Sequence, residues 1–248
     1  MSQPNYLDEL TAAYTPTFNY HEENLASLKW FAKRLIRTCR RRQFQSLLSL
    51  GVGHRLVSAL ILENLGASFK KHVIVEGSGE LINEFKQTVS GADKVTLVQD
   101  MFEEYTPDEP FDAIEMGFIL EHVDDPQLIL SRYAKFLKPG GTVFIGVPNA
   151  RALHRRIGHE AGLLDNMYRL GEADLQLGHQ RYFDYESLTR LVLNAGLKIV
   201  AVEGILLKPI TTSQIAALQL PPAVIDALFQ VGVSYPDLAN AIYLEATI

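Results

Sequence analysis

Apolar residues fall along this chain in two alternating rhythms. Short dense runs at Ser46–Leu50, His72–Glu76, Lys94–Val98, Asp112–Met116, Thr142–Val147, Lys198–Val202 and Ala241–Thr247 predict buried strands. Between them apolar residues recur at helical spacing: Leu25, Leu28, Ala32, Leu35 and Ile36, then Val57, Leu60, Ile61 and Leu65 before Gly66. Leu81–Val89 predicts a short helix, Ile129, Tyr133, Phe136 and Leu137 share the face of another, and Leu188, Leu191, Val192 and Ala195 precede Gly196. Polar residues punctuate the starts. Asn19 with Glu22 makes a capping-box pattern, Asp125 precedes Pro126, and Asp184 opens the Leu188 helix. Met1–Phe18 reads as an irregular lead, and Thr211–Phe229 as helix interrupted by Pro221 and Pro222.

Strands alternating with helices require right-handed crossovers and a largely parallel sheet. Ligands of such sheets bind beyond the carboxyl ends of the strands. Gly51, Glu76, Asp100 and Gly117 fall at those ends. The stretch Pro148–Phe183 breaks the alternation and is too long for an ordinary connection, so it is expected to be a lid or a substrate-binding insertion. The expected organisation is one domain over residues 1–248, with an N-terminal helical cap at 1–43 and the insertion at 148–183.

Composition narrows the function classes. The chain has 248 residues, 47% of them hydrophobic, enough for one substantial core. A formal net charge of −6 argues against a general nucleic-acid binder. Arg37, Arg40, Arg41 and Arg42 read as a solvated helix end that complements the helix dipole. Cys39 is the only cysteine, so no internal disulfide forms, which fits a cytoplasmic setting. Met1–Tyr20 is polar and lacks a signal-peptide core, and no apolar run approaches the ~20 residues of a membrane span. Neither nucleic acid nor membrane is an expected partner, and oligomeric state is not legible.

The chemistry-bearing motifs come in order. Leu50-Gly51-Val52-Gly53 turns the chain after the first strand, and its glycines let backbone approach a ligand closely. Glu76, followed by Gly77 and Ser78, ends the second strand, where a carboxylate can accept both ribose hydroxyls of an adenosine. Asp100, Met101 and Phe102 follow the third strand. Leu120–Asp125, reading L-E-H-V-D-D, follows the fourth, and Lys138-Pro139-Gly140-Gly141 ends the next helix. Each motif alone has an ordinary reading as a tight turn, a strand-end acid or a turn aspartate. A nicotinamide-dependent oxidoreductase would share Gly51, Gly53 and Glu76, but its third fingerprint glycine would fall where Leu56 stands.

Together the order and spacing resemble the class I S-adenosylmethionine (SAM)-dependent methyltransferases, over roughly residues 46–204. Within that family the closest resemblance is to quinone-biosynthesis-like, sugar and natural-product enzymes. The resemblance implies a Rossmann-like, doubly wound α/β fold with a seven-stranded sheet, mostly parallel, whose last strand inserts antiparallel. It implies SAM as cofactor, held by Gly51, Gly53, Glu76, Gly77, Ser78, Asp100, Met101 and Gly117, with Asp100 at the adenine amino group and Met101 against the ring. The family pattern has an acid two residues before the first glycine and a third glycine after the second. Ser49 and Arg55 stand there instead. Those departures keep open a second reading, a methyltransferase fold used only for binding.

Methyl transfer from a sulfonium depends mainly on alignment, and an oxygen nucleophile gains further from a base. His122, just past the fourth strand, suits that role, with His154 and His179 as alternatives. Tyr20, Asn149, His154, His179, Arg181 and Tyr182 are the expected contacts to a small polar acceptor, a hydroxyl of a sugar or natural-product-like metabolite, or else a small amine. Some resembling enzymes bind Mg²⁺ around the Glu-His pair and carry a further acid three residues earlier. Phe118 occupies that position here, so a metal is not favoured.

Overall fold

The computed structural model describes residues 20–248, so the irregular lead and the Asn19 cap lie outside the described residues. In chain order the elements are α1 (His21–Arg42), β1 (Ser46–Leu50), α2 (Leu56–Leu65), β2 (Lys71–Glu76), α3 (Gly79–Thr88), β3 (Thr96–Gln99), β4 (Phe111–Gly117), α4 (Pro126–Ala134), β5 (Leu137–Pro148), α5 (Leu153–Glu160), α6 (Glu172–Gln176), α7 (Tyr185–Asn194), β6 (Lys198–Ile205), α8 (Thr212–Ala217), α9 (Pro222–Gly232) and β7 (Ala241–Thr247).

The strands form one sheet in the order β3-β2-β1-β4-β5-β7-β6. β1 pairs in parallel with β2 and β4, and the parallel set runs on through β3 and β5. β7 runs antiparallel between β5 and β6, as the resemblance implied. Alternate residues feed the two faces. Leu47, Ala113, Phe144 and Tyr243 pack under Phe31, Ala32 and Leu35 of α1. Leu48, Ile114, Ile145 and Leu244 pack under Ile129 and Tyr133 of α4 and Leu188 and Val192 of α7. Each fully buried Leu, Ile, Val or Phe side chain among these contributes about 1.5–3 kcal/mol.

Local chemistry sets the boundaries. The Asp125 carboxylate accepts from the Leu128 N–H at 2.9 Å and caps α4, with Pro126 in its first turn. That helix stops at Ala134. The Lys138–Gly141 stretch is not its end but the bent start of β5, where Leu137 pairs with Phe111 and Gly140 takes φ +76°. The third strand starts at Thr96 because Ala92–Lys94 winds into a 3₁₀ turn. Arg55, at the family's third glycine position, adopts the left-handed backbone at φ +63° itself, and its guanidinium pairs with Glu84. Between β5 and α7 the chain forms α5 and α6 joined by turns. No described helix is long and apolar enough to cross a membrane.

Candidate active site

The carboxyl ends of β1, β2 and β4 open into a cavity of about 1150 Å³, walled on its other sides by α1 and by the segment from α5 to Tyr182. Parallel pairing aligns the strand ends, which is why motifs far apart in sequence meet here. Gly51 turns at φ +74°; a Cβ there would lie 3.1 Å from Ile119 Cδ1 and 3.8 Å from Glu76 Oε2. Glu76 is buried, and its two oxygens accept separately from the Val52 N–H (2.9 Å) and the Ser78 N–H (2.8 Å). The turn therefore holds this carboxylate in place at the cavity wall. Asp100 and Met101 also line the cavity, the Asp100 Oδ1 accepting from the Met101 N–H at 2.9 Å.

Gly53, Gly77 and Gly117 line the cavity, but Ser78 does not. Its hydroxyl accepts the Leu81 N–H at 3.1 Å to cap α3, and its N–H fixes Glu76. Ser78 thus supports the site from behind.

A second group gathers around the loop after β4. Glu121, His122 and His179 place ligand-type atoms within 4.8 Å of one another. The rings of His122 and His179 meet edge to face, centroids 4.8 Å apart at 77°. His179 Nδ1 stands 3.3 Å from Asp174 Oδ1, which also accepts the Tyr182 hydroxyl at 2.8 Å. Glu121 is fully buried, and neither carboxylate oxygen has a partner outside its own residue. Burial pushes its carboxyl up to about 7 despite the opposing pull of His179. Burial and His179 drive the His122 imidazole down to about 3, against a bond to the Gly178 backbone. His122 is therefore neutral at physiological pH. With one ring N–H given to that backbone, the other nitrogen keeps an accepting lone pair.

Backbone stapling brings these groups together. The Gln180 N–H donates to the Glu121 carbonyl at 2.8 Å, and the Gln180 side chain donates to the His122 carbonyl at 2.8 Å. The Arg181 guanidinium donates to the Val123 carbonyl at 2.6 Å and to the Asp124 carbonyl at 3.2 Å.

This geometry places one expected acceptor contact off the cavity and ties up the amide of another. Arg181 is spent on that staple and does not line the cavity. The Asn149 amide is buried and donates to the Asp237 and Ala239 carbonyls at 3.1 and 2.9 Å, tying β5 to the turn before β7. Tyr20, Asn149, His154, His179 and Tyr182 do line the cavity. His154 lies near Lys208 and Arg155; burial first, and then those charges, lower its imidazole to about 3. The Tyr182 ring carries the Arg155 guanidinium 4.3 Å from its centroid.

Sequence reasoning missed several wall residues. Lys208 is buried and pairs with Glu23 at 2.6 Å, and Glu23 also accepts from Thr212 and Asn240. Their separation along the chain hid them. Glu115 was hidden because it sits inside an apolar strand.

Comparison with known proteins agrees with this layout. A methyltransferase-domain family model matches residues 20–202. The ubiquinone biosynthesis O-methyltransferase of Idiomarina loihiensis is 31% identical over 101 residues, 40% of this chain and 40% of that protein. The chain thus aligns with less than half the length of that relative. A SAM-dependent methyltransferase from Thermotoga maritima superposes with a TM-score of 0.59 at 16% identity, covering 96% of this chain and 99% of that one. The N-methyltransferase NodS of Bradyrhizobium japonicum, solved with S-adenosylhomocysteine, gives 0.57 at 10% identity over 98% of each chain. The chain belongs to the class I SAM-dependent methyltransferase family.

Proposed function

We propose that this protein transfers the methyl group of SAM to an oxygen of a small polar acceptor. Adenosine lies along Glu76, Gly77, Asp100 and Met101, the methionine tail runs past Gly51, Gly53 and Gly117, and the acceptor sits against His122 and His179. The observation that carries this reading is the Glu121–His122–His179 cluster on the wall of the same cavity as Glu76. A neutral His122 is in the state that accepts a hydroxyl proton as the methyl group leaves sulfur. The curated relative's name, an O-methyltransferase, supports oxygen. Tyr20, His154 and Tyr182 complete the acceptor side, with α1 and the segment 148–183 closing over it to exclude water. Mass spectrometry of a hydroxylated metabolite panel incubated with SAM tests the proposal. A 14-dalton gain confined to amines would reject oxygen as the nucleophile.

One observation favours a second element at this site. The orphaned Glu121 carboxylate beside two imidazoles is a donor set for a divalent cation. Two nitrogen donors suit a borderline metal such as Zn²⁺ or Fe²⁺ better than Mg²⁺, which prefers oxygen. Glu121, His122 and His179 would hold it, and it would lower the pKa of an acceptor hydroxyl. In that case His122 is a ligand rather than the base. Elemental analysis of the purified protein, against a Glu121→Gln variant, separates the two roles.

A further inference from the structure

Glu115 is an exception among the residues of β4. It sits in a run of buried apolar side chains, is itself only 4% exposed, and reaches the cavity floor. Its register partner across β1 and β4 is Ser49, the residue standing where the family pattern has an acid. Adjacent Cα partners on parallel strands point their side chains to the same face. β4 thus carries a carboxylate directly beside the β1 position where the family pattern has its acid.

The surroundings of Glu115 fit a cation that is not part of the protein. Its Oε1 accepts the Gly117 N–H at 2.7 Å, and the Ser49 hydroxyl bonds the same carboxyl. Ser49 Oγ is in turn 3.1 Å from Nε2 of His72, itself buried. From α1 the apolar Phe31 ring packs over this spot, as its 2.6 Å approach to a Cβ built on Gly117 shows. His72, reached through Ser49, is the titratable neighbour, and burial keeps it neutral, at about 3. The forces on the carboxyl are burial, which raises it to about 8, and the two hydrogen bonds, which oppose that; no Lys or Arg contributes.

Three other cavity carboxylates are committed, and the buried Glu121 stands apart with His122 and His179. Glu76 is held for the ribose, Glu23 pairs with Lys208, and Asp174 serves His179 and Tyr182. The methionine part of SAM brings an α-ammonium into the cavity, and a buried cation needs a buried anion. A side chain at Gly117 would stand 2.7 Å from Glu115 Oε1, so glycine is needed beside this carboxyl, and both residues line the cavity.

We propose that Glu115 is the cofactor-binding residue that receives the α-ammonium of SAM, in place of the acid missing at Ser49. The inference rests on the SAM assignment of the cavity and is independent of the acceptor. Ammonium binding converts a carboxyl that is protonated in the free protein into a carboxylate, so a proton leaves as cofactor enters.

The test compares two probes that differ at the amino-acid end. S-adenosylhomocysteine carries the α-ammonium, and 5′-methylthioadenosine does not. In the full chain, Glu115→Gln should weaken S-adenosylhomocysteine roughly 10- to 100-fold, as loss of one charge-assisted bond does, and leave methylthioadenosine within about twofold. Calorimetry at pH 7 in buffers of different ionisation enthalpy should show proton release with S-adenosylhomocysteine that is absent with methylthioadenosine. Should the variant not fold, that proton count on the native protein decides. Equal loss of both probes, or no loss of either, overturns the role of Glu115, as does absence of proton release. Failure of the native protein to bind either probe would instead reject the SAM assignment.

Discussion

His179 lies edge-on to His122 across 4.8 Å, although the two come from different parts of the chain. The contact exists because residues 178–182 are bonded along the loop after β4, donating to the carbonyls of Glu121, His122 and Val123. The cavity wall that carries His179 is therefore tied to the loop that follows β4.

If His122 is the base, His122→Ala lowers turnover on a hydroxyl acceptor by roughly 10²–10⁴ and leaves S-adenosylhomocysteine affinity nearly unchanged. Its acid limb lies well below the free imidazole value of about 6.5, because burial and His179 hold the ring near 3. Turnover and calorimetry together check this. A near-native rate on a proven hydroxyl acceptor excludes His122 and leaves His154 or His179.

Glu76→Ala should cut S-adenosylhomocysteine affinity at least 100-fold. The two ribose bonds assigned to this carboxylate are worth roughly 1.5–3 kcal/mol each. The Val52 and Ser78 N–H groups also lose their acceptor, so the Gly51 turn loosens. An unchanged affinity would favour the binding-only reading of the fold.

Much of this was legible. Seven strands were placed by apolar density, and β1 and β7 match to the residue. The Asp125 and Asp184 caps are local chemistry and were readable for that reason. The Lys138–Gly141 stretch was misread as a helix end because a Pro-Gly-Gly turn also opens a bent strand. Arg181 has the right side chain for an acceptor, but its carbonyl partners come from another loop, which no local pattern reveals. Glu115 needed the register to be seen at all, since its meaning lies in being opposite Ser49.

Stability should fall as pH drops from about 6.5 toward 4. His54 is lowered to about 4, and His72 and His154 to about 3, chiefly by burial. Each binds a proton in the unfolded chain before it does in the folded one, so its contribution is present above 6.5 and is lost on acidification. Glu115, raised to about 8, and Glu121, raised to about 7, act with the opposite sign. Their contribution is whole below about 4.5 and is lost as pH rises through those values. Melting temperature should therefore peak near pH 6–7. A flat profile between pH 4.5 and 8 would contradict it.

Hydrogen exchange should register the closure of α1 and residues 148–183 over bound ligand. Arg155 ties α5 to the Met167 carbonyl at 2.7 Å and to the Arg169 carbonyl at 2.7 Å, so protection is expected to rise across the segment as a block. Equal exchange with and without S-adenosylhomocysteine would leave it a wall rather than a lid.

Asp174 is predicted to act through His179. Its Oδ2 accepts the Gly171 N–H at 2.7 Å, and its Oδ1 accepts the Tyr182 hydroxyl and faces His179 Nδ1. Burial pulls this carboxyl upward, but the bonds from His179, Gly171 and Tyr182 outweigh it and hold it below its ordinary range. An anion there favours a proton on the facing imidazole nitrogen and fixes the ring against His122. Asp174→Asn keeps the shape and removes the charge. Turnover should fall roughly 10- to 100-fold, with S-adenosylhomocysteine affinity intact. The Asp174→Asn and His179→Gln losses should not add when combined, because both remove the same coupling. Strict additivity in that double-mutant cycle would show that Asp174 supports the fold and not the histidine.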